Sequence, residues 1–180
     1  MDSRTRLITT AVTLLTEEGV EAVTLRRIAR VAGMSHGAPL RHFAGRAELL
    51  SAVATEGFAE LHTRGADLPE ADPRKRLLAA CRQYLGFALD NPAMFELMFR
   101  QDLTNPDVLA ERHNEVLRWF TALVAQAQSG GWRAGEDGRA LAASLWAALH
   151  GLAELRLRAG LAEPIDVDAT LEVTLNAYVG

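Results

Sequence analysis

Three times between residues 72 and 106 the chain sets a short capping side chain directly before a proline: Asp72-Pro73, Asn91-Pro92 and Asn105-Pro106. Proline fits the first turn of a helix, where its missing N–H would have no partner anyway, and breaks a helix further in. Each pair therefore predicts a helix start. Apolar residues recur at spacings of three and four almost throughout, and no alternating strand pattern is present. The fold class is all-α.

The same punctuation divides the rest. A first helix runs from about Ser3, with Leu7, Ala11, Leu14 and Leu15 on one stripe, to Gly19, which suits a left-handed cap. Thr24 caps a short helix from Leu25 to Ala32, Gly33-Met34 breaks it, and Ser35 caps another reaching about Phe43. A longer helix follows from Arg46 to Thr63, and Arg64–Ala71, with Gly65 and Pro69, is a connector. Further helices fall near 73–90, 92–100, 106–128 (ended by Gly130-Gly131), 137–159 (closed by Gly160) and 166–178. The reading predicts about nine helices.

With 49% apolar and 23% charged residues in 180, the chain can bury a core and is not disordered by composition. A net charge of −4 argues at first against a nucleic-acid partner. Resolved along the chain it splits: residues 1–50 carry seven arginines against five acids, a local +2, and the remainder is −6. A basic end on an acidic body is a polarised molecule suited to DNA. The single cysteine, Cys81, can form no internal disulfide and anchors no zinc site, so it packs as a small hydrophobe. Met1-Asp2-Ser3-Arg4-Thr5-Arg6 has no apolar run, so no secretory leader is expected, and the charge-free stretch Ala140–Ala153 is too short to span a bilayer. The expected location is cytoplasmic, without membrane, metal or cofactor.

The richest segment is Thr24–Phe43. Two short capped helices flank a glycine turn, with Ile28, Ala29, Ala32, Met34 and Phe43 apolar, as a helix-turn-helix requires. The start of the second helix offers Ser35, His36, Gly37 and Ala38, whose small side chains let backbone N–H groups and the positive helix end approach phosphate or base edges. Arg41, His42 and Arg46 add donors for phosphate oxygens. Arg26, Arg27 and Arg30 fit either a DNA-facing surface or a solvated face, and His36 also fits an ordinary exposed position.

Over residues 4–60 the sequence resembles the TetR/AcrR family of transcriptional regulators. The resemblance rests on Gly19, Thr24, Ile28, Ala29, Ala32, Gly33, Met34, Ser35, Gly37, His42 and Phe43 in order. Pro39 stands where that family prefers Leu, Leu40 where it prefers Tyr, and Arg46 where it prefers Lys. The resemblance implies phosphate contact by His42 and Arg46, and base reading by the second helix. No such role passes to Leu40, which has no hydroxyl to donate; Arg41 is the available substitute. Proline deep in a helix costs about 3 kcal/mol, so Pro39 requires Ser35 to be the cap. With Thr24 and Arg27 on the helix before it, the expected DNA-binding set is Thr24, Arg27, Ser35, His36, Gly37, Ala38, Arg41, His42 and Arg46.

Residues 73–180 look like the ligand-binding and dimerisation part of the same family. Trp146, His150 and Gly151 resemble its WHG-type C-terminal signature, and Asn91–Phe99 resembles a segment common in that group. Along Ala140–Ala153 Leu141, Leu145, Leu149 and Leu152 form one stripe, and Ala143, Trp146, Ala147 and His150 a neighbouring one. The last helix adds Val167, Leu171, Leu175 and Tyr178. The resemblance implies a homodimer through helices 137–159 and 166–178, which suits a palindromic DNA site. Tyr84, Phe87, Met94, Met98, Phe99, Trp119, Trp146 and His150 are the side chains available for an apolar ligand pocket. Plain core remains the competing reading for each, and for His150 a packed histidine.

The expected division is a DNA-binding domain at 1–48, a bridging helix at 46–63 and a ligand-binding and dimerisation domain at 64–180. The expected function is a repressor that binds operator DNA as a homodimer and is released by a small hydrophobic ligand. A regulator answering to a protein partner or to abundance is the alternative. An enzyme is disfavoured: His36, His42, His62, His113 and His150 lack metal-ligand spacing, and no phosphate-cradling glycine loop is present.

Overall fold

The computed structural model describes residues 2–66, 68, 71–158 and 166–177. Within them lie eight α-helices and no strand: α1 Ser3–Glu18, α2 Leu25–Val31, α3 Arg46–Ala66, α4 Pro73–Asp90, α5 Pro92–Phe99, α6 Pro106–Ser129, α7 Gly138–Arg158 and α8 Val167–Ala177. Short 3-10 turns occupy Val20–Ala22 and Pro39–Arg41. All three Xaa-Pro pairs open helices. The Asp72 carboxylate accepts from the Lys75 N–H at 2.9 Å, and the Asn105 side chain from the Asp107 N–H at 3.1 Å. Gly19 closes α1 at φ +81°, its N–H on the Leu15 carbonyl.

The ninth expected helix, Ser35 to Phe43, does not form. Residues 35–38 make a turn closed by the Ala38 N–H on the Ser35 carbonyl at 3.0 Å, and only Pro39–Arg41 coils further, as a 3-10 turn. Pro39 is the physical reason. It has no N–H to return to Ser35, so the bond that would carry an α-helix through this point cannot exist. The anticipated Ser35 cap and positive helix end are absent with it. Elsewhere expected ends moved by a few residues, most at α3, which continues past Thr63 to Ala66. Pro69, Ala159, Gly160 and Tyr178 lie outside the described residues.

Contacts group the chain into two units, residues 1–60 with 91–113 and residues 61–90 with 114–180. The segment 91–113 thus groups with the N-terminal residues. In the first unit Leu7, Leu15, Ile28, Phe43, Leu49 and Phe95 are fully buried, each contributing about 1.5–3 kcal/mol by leaving water. The Ser51 hydroxyl, buried, donates to the Ala47 carbonyl at 2.7 Å and accepts from the Asn105 N–H at 2.8 Å. Gly57 makes the crossing of α3 and α5 possible. A Cβ there would stand 2.8 Å from the sulfurs of Met94 and Met98.

The second unit packs α4, α7 and α8. Leu141, Leu145, Leu149 and Leu152 are buried, as their spacing predicts, and so are Leu171 and Leu175. Ala143, Ser144, Ala147 and Gly151 face outward on α7. Arg82 bonds Asp168 at 2.6 Å, and Arg74 donates to the Asn176 side chain at 2.8 Å, tying α4 to α8.

Candidate nucleic-acid interface

Thr24 opens the site by capping α2, its hydroxyl accepting from the Arg27 N–H at 3.2 Å. Gly33, at φ +65°, ends α2 in a double bond pattern: its own N–H reaches the Arg30 carbonyl and that of Met34 the Ala29 carbonyl. That pattern needs a left-handed residue, which glycine adopts without strain. The chain then reverses into the exposed run Ser35-His36-Gly37. Within the described residues the backbone N–H groups of these three make no intramolecular hydrogen bond. Consecutive free N–H groups in a turn are donors for an anion. They replace the helix end that the sequence suggested.

Beyond the turn Pro39 and Phe43 are buried, and Leu40 and Arg41 are exposed. The N–H groups of His42 and Phe43 both reach the Pro39 carbonyl at 2.9 Å. His36, Gly37 and Arg41 therefore lie on one short exposed segment, with Ala38 and His42 half-buried. The Arg4 guanidinium lies 5.5 Å from the centre of the Phe43 ring that anchors it.

Two expected DNA-binding arginines are occupied within the unit. Arg27 bonds both Glu18 carboxylate oxygens at 2.6 Å. Arg46, half-buried at the start of α3, donates from Nε to the Val23 carbonyl at 2.9 Å and from Nη2 to the Val20 carbonyl at 2.7 Å. Its main partners are backbone carbonyls of the turn before α2. Thr24 likewise has its hydroxyl on a backbone N–H. The approach of backbone N–H groups at residues 35–38 was expected from the sequence, but on a helix end rather than a turn; Arg46's internal role was not, and the missing N–H of Pro39 was the one signal that pointed to a turn.

The eight expected pocket residues divide between the units. Met94, Met98 and Phe99 are in the first, where Phe99 stacks near Phe58, Phe95 and His113. The other five are in the second. There the Trp146 indole donates to the Tyr84 oxygen at 3.2 Å, and the oxygen lies 3.0 Å from His150 Nδ1. The indole can only donate, so the Tyr84 oxygen accepts from Trp146, and the imidazole tautomer sets which way the bond to Nδ1 runs. Burial holds His150 below its ordinary value and pushes the Tyr84 phenol well above its own. Trp119 lies against Gly65, and Phe87 is buried. A groove of about 1030 Å³ in this unit is lined instead by Asp72, Arg74, Lys75, Trp132, Glu136 and Glu172 among others, and by none of the eight.

Residues 7–53 match the bacterial regulatory proteins of the tetR family, and residues 77–178 match the tetracyclin repressor-like C-terminal domain. The chain belongs to the TetR family. It is a TetR-family transcriptional regulator, a class that is not enzymatic, and residues 7–53 carry that family's helix-turn-helix DNA-binding domain. Among its relatives is the HTH-type transcriptional repressor KstR of Rhodococcus jostii, 25% identical over 128 residues, 71% of this chain. The match spans only 60% of that relative's length. A solved protein of unknown function from Rhodococcus sp. RHA1 is 28% identical, with a TM-score of 0.84 over 99% of this chain and 94% of its own. The fatty acid degradation regulator FadR of Bacillus halodurans shares the fold at 14% identity, with a TM-score of 0.78 over 100% of this chain and 96% of its own. Among the described residues of this TetR-family chain no helix is long and apolar enough to cross a membrane.

Proposed function

We propose that this TetR-family regulator binds a palindromic operator as a homodimer and acts as a repressor that a small apolar ligand releases. The observation that carries the DNA reading is the exposed run 35–42. Three unpaired backbone N–H groups, His36 and Arg41 share one segment pinned by buried Pro39 and Phe43. Phosphate contacts fix a protein on the duplex, and such donors are what they need. His42 is a third side-chain donor. Thr24, Arg27, Ser35, Gly37, Ala38 and Arg46 shape this surface or reach it through the backbone.

The homodimer reading draws on α7 and α8. Ala143, Ala147 and Gly151 put small residues on an outward stripe, next to Leu155 at 51% exposure, and Val173 on α8 is 67% exposed. Small residues let two helices approach closely, and a two-fold pair of heads fits an inverted repeat.

The ligand would sit in the second unit beside Tyr84, Trp146 and His150, where polar atoms converge in apolar surroundings. Those three already bond one another, however, which gives a packed core its own reason for them. That favours a second reading, control by a protein partner or by abundance. Titrating fatty acids and other apolar metabolites into the protein–duplex complex separates the two. Release at saturating ligand supports the first; a complex that no ligand weakens supports the second. Selection from random duplexes tests the DNA reading itself: an enriched inverted repeat is expected, and an unenriched pool contradicts it.

A further inference from the structure

The DNA reading leaves one side chain of the Pro39–Arg41 turn unused. Leu40 is 62% exposed. It stands among groups that all offer hydrogen bonds: the N–H groups of residues 35–37, His36, Arg41 and His42. The turn is pinned on both sides, by buried Pro39 and Phe43 and by two N–H groups on the Pro39 carbonyl. A leucine held out to this extent leaves most of its apolar surface in water. It also has no atom to give to a phosphate.

A major groove contains one apolar group, the 5-methyl of thymine, and apolar side chains read that base through it. We infer that Leu40 is a specificity-determining residue that packs on a thymine methyl in each half-site. This rests on the DNA reading above. It goes further, by assigning a base to a residue that carries no donor. Loss of one methyl from a buried contact corresponds to about fourfold in affinity per half-site, and about fifteenfold for a dimer on two.

The test starts from a site selected out of random duplexes by the full chain. Each thymine is replaced in turn by deoxyuridine, which deletes the methyl and keeps every hydrogen-bonding group. One symmetry-related pair of replacements is expected to weaken binding about fifteenfold. The same pair should leave Leu40→Ala unaffected, and Leu40→Ala on the thymine site should bind like the wild type on the uracil site. Uracil tolerated at every position overturns the inference, as does a methyl effect that persists in Leu40→Ala. The uracil arm uses the unaltered protein, so it does not depend on the variant folding. If selection enriches nothing, the DNA reading fails and this inference fails with it; a selected site indifferent to methyls fails only the second.

Discussion

The guanidinium of Arg46 reaches back across 23 residues of chain to the carbonyl of Val23, 2.9 Å from its Nε. With the second bond to Val20 at 2.7 Å, it fastens the start of α3 to the turn ahead of α2. Arg46→Ala should therefore destabilise the folded chain by about 1.5–3 kcal/mol, the range for hydrogen bonds to a charged group. Arg46→Lys should recover part of this, since an ammonium cannot span both carbonyls in the fork geometry of a guanidinium. Denaturant unfolding measures both. An unchanged midpoint in Arg46→Ala would mean that the clamp contributes nothing.

Arg41 is exposed and has no ion-pair partner among the described residues. If it contacts a phosphate, Arg41→Ala should weaken binding to all duplexes alike. The slope of log affinity against log salt should become shallower by about 0.9 per phosphate lost. Anisotropy titrations at several salt concentrations give the slope. A slope equal to the wild type's removes Arg41 from the interface.

Tyr84, Trp146 and His150 make a pH-dependent core. Burial holds His150 below its ordinary 6.5 and acts the same way on His113. The unfolded chain takes up these protons near pH 6.5 and the folded chain resists them. Stability is thus full above that value and falls as the pH drops through it. Asp2 and Asp102 are held below an ordinary 3.8 and act only at much lower pH. The unfolding midpoint should be lower at pH 5.5 than at 7.5, and His150→Gln, which cannot titrate, should narrow the gap. An unaltered gap would assign the effect elsewhere.

Gly65→Ala separates packing from helix propensity. In an open helix this change stabilises by about 1 kcal/mol. Here the new Cβ would stand 2.4 Å from the rigid indole of Trp119, so a lower melting temperature is expected. Trp119→Leu in the same chain should return part of the loss. A gain in stability from Gly65→Ala alone would show that the indole can move aside.

The parts of this fold legible in the sequence are those set by local chemistry. Asp72-Pro73, Asn91-Pro92 and Asn105-Pro106 each state a helix start within two residues, and Gly19 and Gly33 state the ends that need positive φ. Pro39 stated a break with equal clarity, but a capping serine four residues earlier suggested that an α-helix could absorb it. Arg46 was ambiguous for a different reason. A phosphate and a backbone carbonyl are both acceptors, and only the approach of residues 20–23 to the start of α3 decides between them. The pocket residues illustrate the limit of pattern reading. Aromatic and thioether side chains mark burial, yet nothing in their spacing separates Met94, Met98 and Phe99 from Tyr84, Trp146 and His150, which group in different units.

The central claim is that the turn at 35–42 lies in the major groove. The lone native thiol makes a direct measurement possible. Cys81 is fully buried, and burial pushes its pKa up to about 12, so it resists alkylation while the fold holds. A thiol introduced by Ala44→Cys, an exposed position beside the turn and outside the proposed contact set, can then carry an iron chelate as the sole label. Bound to the selected duplex, the labelled protein should cut at two clusters of positions, one per half-site, about one helical turn or a multiple of it apart. Cutting spread evenly along the duplex, at the level of the free chelate, would contradict the account.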